Sequence, residues 1–518
     1  MKRKKLVRGI VGVALCLTGI LLELAMPRDA RHTFRVDAGG CRLVTDIVEP
    51  EGGGTPQGYV VLLHGLAANE RTMLYLTDGL AEQHVRVFVP DLPGHGRTTE
   101  PFSFNRAEQC SENLVQELIS RGLLDPEKTV LVGHSMGGAI ALELAAHEPV
   151  AGVVALSPAP MRDIPGIPRE AIPYHDFSKL PPHALVISGG WEPGILTRAA
   201  QELVTGSGDA NSQYELVPRT SHVSMLFSRQ VLRATQSWVA SVLHVQRQNV
   251  VPSRAALLGL FAGLMGILLL TGPFLRELLQ AKEASAAASG AVANVAGVPK
   301  GRVFLEFAAG ALAAIVVLRF GDLLRFLRMF EADYFASVLL ITGVVVLLLH
   351  LGKMRGWLTN GEEKTEGRRP TYVAILLAAL AGAILVMLLG AWFDLSFTET
   401  WPRMGRLARF VPLLIAVLPY HLAEEFLLGG PDAEKEFFRL TTALGLRVLV
   451  WVVLVAGIFL LHSGEILPVL LAPYFGLFCL GQKWGMDVVR EVTRSASAAA
   501  LFGAILLAGF CLVVFPTT

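Results

Sequence analysis

The sequence predicts an α/β domain built on a mostly parallel sheet, joined to an all-α, multi-span membrane portion. Three observations carry this. From about residue 33 to 245, short apolar runs alternate with stretches of helical spacing, the pattern of a parallel sheet with crossover helices. From about residue 252 onward, apolar runs near the length of a membrane-spanning helix recur between short charged loops. The mean hydropathy of +0.50 is too high for an ordinary soluble chain. Three regions follow: an anchor over 1–27, an α/β domain over 28–248, and a polytopic portion over 249–518 with about eight helices.

The elements of the α/β region can be read in order. A hairpin is expected over 32–35 and 42–48. "GYVVLLHG" is flatly apolar and ends in glycine, as a strand covered on both faces does. Residues 70–83 have helical spacing, "VRVFVPD" is a strand, and "LPGHGRT" is a loop. Residues 106–121 are helical, "TVLVGHS" is a strand, and "MGGAIALELAAHEP" is a helix stopped by Pro149. "VAGVVALSP" and "HALVISGG" read as strands, "GILTRAAQELVTG" as a helix, "SQYELVP" as a strand, and 222–244 as a closing helix.

The chemistry sits in "GHSMG". A strand ends, the chain turns sharply and a helix begins, which exposes the Ser135 hydroxyl at the sheet edge. Such a turn leaves no room for side chains at Gly133 and Gly137. The helix that starts there directs free N–H groups to where an oxyanion would form. A serine hydroxyl needs a base, and His222 in "VPRTSHVSML" occupies a loop after the last strand. Glu192, at the strand end in "LVISGGWEPG", is the expected acid, with Asp163, Asp176 and Asp209 as rivals. Asp91 and His95 are expected to stabilise a turn, and His134 to fill space beside the nucleophile.

"VVLLHGLAAN", "DLPGHGRT", "GHSMGG", "SGGWEP" and "SHVSML" resemble the α/β-hydrolase superfamily, in its serine aminopeptidase and lysophospholipase-like branch. The resemblance covers about residues 33–245. It implies a serine hydrolase with the order Ser135, Glu192, His222. It also implies an oxyanion hole from the backbone N–H groups of Leu66 and Met136, with His64 and Gly65 supporting that loop. A glutamate stands where the commoner acid is aspartate. Only 157–182 separates two strands, so the lid is expected to be minimal. No metal or organic cofactor is implied. The expected substrate is a lipid-like acyl ester; the alternatives are a peptide or other amide handled by the same residues, or a transporter or sensor whose hydrolase-like domain only binds a ligand.

The rest of the chain sets its location. A basic cluster, Lys2, Arg3, Lys4 and Lys5, precedes an apolar run over 6–26, about 21 residues or ~30 Å of helix, read as an uncleaved anchor whose start these residues and Arg8 hold in the cytoplasm. The α/β domain is then expected on the outer face of a bacterial inner or cell membrane. Further spans are expected near 255–275, 303–319, 334–352, 371–393, 410–428, 443–461, 465–482 and 497–515. Within them "LPYHLAEEFLLGG" carries His421, Glu424 and Glu425, which are costly in lipid. That pair partly resembles intramembrane CAAX-type metalloproteases, but the arginine expected after it is absent and His462 lacks a helical context. Helix-contact polar groups, or a solute or proton path, are the other readings. The net charge of +1 gives no sign of nucleic-acid binding. Five cysteines without repeat spacing make neither a zinc site nor a disulfide scaffold. Cys41 and Cys110 are read as unpaired thiols, with a bridge between them as the alternative.

Overall fold

The computed structural model describes residues 2–24, 31–50, 54–158, 180–181, 183–279, 298–321, 323–351, 371–396, 398–400, 404–428, 436–461, 465 and 467–518. Asp163, Asp176, His462 and nearly all of the 157–182 connection lie outside the described residues. The chain divides into two compact units.

One unit comprises Gly19–Leu260, Phe393–Thr400 and Pro516–Thr518. Its eight strands are β1 (Arg31–Ala38), β2 (Cys41–Val48), β3 (Gly58–Leu63), β4 (Val85–Asp91), β5 (Thr129–His134), β6 (Gly152–Leu156), β7 (Ala184–Gly189) and β8 (Gln213–Val217). They form one sheet in the order β1-β2-β4-β3-β5-β6-β7-β8. β2 runs antiparallel to β1 and β4, and every other neighbouring pair is parallel. Every residue of β5, β6 and β7 is buried, as the flat apolar runs require. One face carries the main core, where Val60, Leu62, Val132 and Ile187 pack with Leu76 and Leu80 of α2 (Leu74–Ala81) and Leu232 and Val239 of α6 (Arg229–Val242). Between these in the chain lie α3 (Phe104–Ser120), α4 (Met136–His147) and α5 (Gly194–Gly206).

Two details differ from the sequence reading. The closing helix begins at Arg229 because residues 224–227 form a separate 3-10 turn and Ser228 caps the helix, its hydroxyl accepting from Val231 N–H. Cys41 and Cys110 are bonded to each other, not free. The start of β2 and the first half of α3 bring their Cα atoms to 5.5 Å, a contact between distant segments that spacing does not reveal.

The other unit comprises Met1–Thr18, Phe261–Trp392 and Trp401–Phe515 and is helical. Its helices are α1 (Lys2–Leu24), α7 (Ala255–Leu279), α8 (Lys300–Leu318), α9 (Ala332–Leu349), α10 (Thr371–Ser396), α11 (Phe410–Leu428), α12 (Glu436–Leu461), α13 (Ala472–Thr493) and α14 (Ala496–Val514). In sequence, the last residues of α1 and α10 and the first residues of α7 fall in the other unit. Among the described residues, eight helices are long and apolar enough to cross a membrane. The exception is α13. It replaces the span expected over 465–482, starts later, and carries Lys483, Asp487 and Arg490.

Those charges have partners. Arg447 on α12 grips Glu424 on α11 with Nη2 at 2.9 Å and Nε at 3.2 Å, and its Nη1 donates to Gln482 Oε1 at 2.7 Å. Lys483 pairs with Glu425 and, at 2.9 Å, with Asp487. Gln482 also reaches His421 Nε2 at 3.0 Å and donates to the Gly503 carbonyl of α14 at 2.6 Å. All of these side chains are buried. The network therefore joins four helices through groups that would be expensive to bury singly.

Candidate active site

Four parallel strands end at one edge of the sheet. β3 leads to His64 and Gly65, β5 to Ser135, β7 to Glu192 and β8 to His222. This is the edge where ligands meet open parallel sheets.

Ser135 has φ 55° and ψ −118°, a conformation that residues with a Cβ rarely adopt. Its N–H is held by the Leu156 carbonyl at 2.9 Å, and α4 starts at Met136. The flanking glycines are sterically required. A Cβ on Gly133 would strike the Gly137 carbonyl, and one on Gly137 would strike the Leu63 carbonyl. The turn is thus stapled between β5 and the end of β3. A Cβ on Gly65 would lie 3.0 Å from Ser135 Cβ, so the Gly65–Leu66 turn passes beside the serine. Met136 N–H lies in the first turn of α4, where backbone donors have no partner within the helix.

His222 Nδ1 lies 2.6 Å from Glu192 Oε1. The other carboxylate oxygen accepts from Ser157 Oγ at 2.6 Å and from Gly189 N–H at 2.7 Å. Burial pushes this carboxyl up, but the hydrogen bonds and charge of His222, with those of Ser157 and Gly189, hold it below the usual glutamate range. Glu192 therefore remains an anion that fixes the imidazole with its Nδ1 proton toward the acid. Of the rival acids, Asp209 is spent locally on Ser212 Oγ and Asn211 N–H.

His134 does more than fill space. Its Nε2–H donates to the His222 carbonyl at 2.7 Å, and the two rings lie 4.8 Å apart. Burial, then the adjacent His222, pushes its pKa down to about 3, so it stays neutral. It ties the His222 loop to the end of β5, next to Ser135. Neither this role nor that of Ser157 was legible beforehand. The available signals were a polar residue next to Ser135 and a serine just after the neighbouring strand.

Two more histidines brace the loops. His64 Nδ1 donates to the Gly65 carbonyl at 2.8 Å and its Nε2 accepts from Leu92 N–H at 2.9 Å. His95 Nδ1 donates to the Pro93 carbonyl at 2.7 Å and its Nε2 accepts from Ala67 N–H at 3.1 Å. Both are neutral tautomers set by backbone partners. Asp91 accepts from Glu70 N–H at 3.0 Å and from Arg97 N–H and Nε at 2.9 and 3.0 Å. Glu70, Asp91 and Glu399 bring carboxylate oxygens within 4.8 Å of one another. Arg97 supplies the cation, reaching Glu70 at 3.3 Å, Asp46 at 2.8 Å and Glu399 at 3.7 Å. Burial, then Asp91, pushes the Glu70 carboxyl up to about 8.

Residues 60–241 match the model of the alpha/beta hydrolase family. Among curated proteins, the chain is 38% identical over 104 residues to the magnesium-chelatase 30 kDa subunit of Rhodobacter capsulatus, covering 19% of this chain and 34% of that one. It is 38% identical over 92 residues to a pimeloyl-[acyl-carrier protein] methyl ester esterase of Nitrosospira multiformis, covering 17% and 34%. The chain thus spans about a third of the length of these relatives. A solved Pyrobaculum calidifontis esterase aligns with 46% of this chain and 92% of its own, at 16% identity and a TM-score of 0.36. The eight-stranded, mostly parallel sheet and the family match agree: residues 60–241 carry an alpha/beta hydrolase fold.

Proposed function

We propose that this protein is a membrane-bound serine hydrolase of the lysophospholipase-like type that cleaves carboxylic esters through an acyl-enzyme. The observation that carries the reading is the strained Ser135 turn with His222 paired to Glu192 beside it. His222 takes the proton as Ser135 Oγ attacks the carbonyl carbon. The negative charge on the former carbonyl oxygen is met by the Leu66 and Met136 amides. His222 then protonates the departing alcohol, and water attacks the acyl-enzyme by the same steps in reverse. Relatives named as methyl ester esterases favour esters over amides. Apolar side chains near the acid favour a greasy acyl chain: Trp191, beside Glu192, is 69% exposed, and Ile195 and Leu216 are also exposed.

The test is fluorophosphonate labelling of membranes, followed by turnover of acyl esters of increasing chain length, a lysophospholipid and a peptide amide. Absence of labelling removes the serine-hydrolase reading, and amide turnover without ester turnover makes it a peptidase. Glu192→Gln is expected to keep the fold and lower kcat by about 10^3 to 10^4, because the imidazole loses its fixed tautomer. A variant within about tenfold of wild type removes Glu192 from that role.

We place the hydrolase domain outside the cytoplasm, in a bacterial cell membrane. The basic cluster before α1 supports this, as does the Cys41–Cys110 disulfide, which suits an oxidising compartment. Protease added to intact spheroplasts is expected to cut within the hydrolase domain and spare residues 353–370. The reverse pattern inverts the orientation.

A further inference from the structure

The hydrolase unit includes a short segment from far along the chain, Phe393–Thr400, made of the last residues of α10 and those that follow. We infer that this segment positions the oxyanion loop, with Thr398 and Glu399 acting through Asn69 and Arg97 on the Leu66 amide. The inference rests on the serine-hydrolase reading and assigns these four as positioning residues for it.

The loop after β3 has little structure of its own. Ala67 sits at φ 60°, a left-handed conformation that an alanine does not choose unaided. Its shape is imposed residue by residue. Ala67 N–H is held by His95, Asn69 N–H by Thr72 Oγ1 at 3.0 Å, and Glu70 N–H by Asp91. Asn69 caps the 3-10 turn that follows, its Oδ1 accepting from Arg71 N–H at 3.2 Å. The amide nitrogen of the same side chain donates to Thr398 Oγ1 at 2.8 Å and toward the Glu399 carbonyl at 3.4 Å. Asn69 is buried, so these bonds fix the rotamer that caps the turn. On the other side, the Glu399 carboxylate lies 3.7 Å from Arg97 Nε, and the same nitrogen holds Asp91, the acceptor for Glu70 N–H. Arg71 reaches Asp394 in the same segment, through the Asp394 carbonyl and, at 3.6 Å, its carboxylate.

The far segment therefore bonds the loop directly at Asn69 and Arg71 and acts on Glu70 through Arg97 and Asp91, immediately after the turn that presents Leu66. An oxyanion donor acts only if its N–H points where charge develops. A looser loop costs turnover without costing substrate affinity.

The experiment uses the full chain in detergent or membranes. Thr398→Ala, Thr398→Ser and Glu399→Gln are compared with wild type for kcat and KM on a soluble short-chain ester, for final fluorophosphonate stoichiometry, and for melting temperature. Thr398→Ala and Glu399→Gln are expected to lower kcat about five- to tenfold, less than loss of a whole oxyanion donor. KM should stay within about twofold, labelling should still reach completion, and Thr398→Ser should recover most of kcat. Unchanged kcat in Thr398→Ala, or a serine variant as slow as the alanine one, overturns the inference. So does a fall in kcat that merely tracks the melting temperature. A wild-type protein that the probe never labels fails at the earlier step: the hydrolase reading falls and takes this inference with it.

Discussion

Ser135→Ala is expected to lower ester turnover by roughly 10^4 to 10^6 and to abolish fluorophosphonate labelling, while the melting temperature stays within a few degrees of wild type. The size of the loss follows from the chemistry, since without the hydroxyl no acyl-enzyme forms and only positioned water remains. The small effect on stability follows from the backbone. The φ of 55° is held by the Leu156 carbonyl and by the glycine contacts at 133 and 137, none of which involves the serine side chain. Full labelling of the alanine variant in purified protein removes Ser135 as the nucleophile.

Arg447→Ala is expected to destabilise the helical unit by about 3 to 5 kcal/mol, the usual range for removing one partner of a buried ion pair. The fully buried Glu424 carboxylate would lose three contacts from one guanidinium, and Gln482 would lose the donor that orients it. A paired replacement, Arg447→Met with Glu424→Leu, should recover most of that loss, because it removes both charges and keeps the volume. Unfolding in mild detergent or bicelles checks both. If the single variant melts like wild type, the pair is not holding α11 to α12. If the double variant is as unstable as the single, the cost lies in packing and not in charge.

The legible parts of the protein were those written in local pattern. "TVLVGHS" followed by "MGGAIALELAAHEP" specified β5, the Ser135 turn and α4, because flanking glycines and a change from strand to helical spacing are both sequential signals. Glu192 was readable as a strand-end acid, and the hydrogen bond to His222 has the geometry that role needs. Contacts between distant segments were not readable. Cys41 and Cys110 lie 69 residues apart, and only the packing of α3 against β2 brings them together. Ser157 and His134 act on Glu192 and His222 through the alignment of neighbouring strand ends, which has no linear signature. α13 was displaced for a different reason. Hydropathy favoured its apolar first half, while its charged second half is made helical by partners on α11 and α12.

The composition of the hydrolase unit has a topological consequence. A helix that crosses a bilayer changes side, so two points on one side are separated by an even number of crossings. Phe393–Thr400 and Pro516–Thr518 belong to the same compact unit, and Phe102 N–H and the Gly94 carbonyl bond Thr517 at 2.7 and 3.1 Å. Among the described residues, the long helices between those two segments are α11, α12, α13 and α14. Three of them qualify as spans by composition. If those three cross a bilayer and the two segments lie on one side of it, parity makes α13 a fourth crossing, despite Lys483, Asp487 and Arg490. In that arrangement its charges would lie within the bilayer's depth, where Lys483 is paired with Glu425 of α11 and with Asp487 one turn along its own helix, while Glu424 is held by Arg447 of α12.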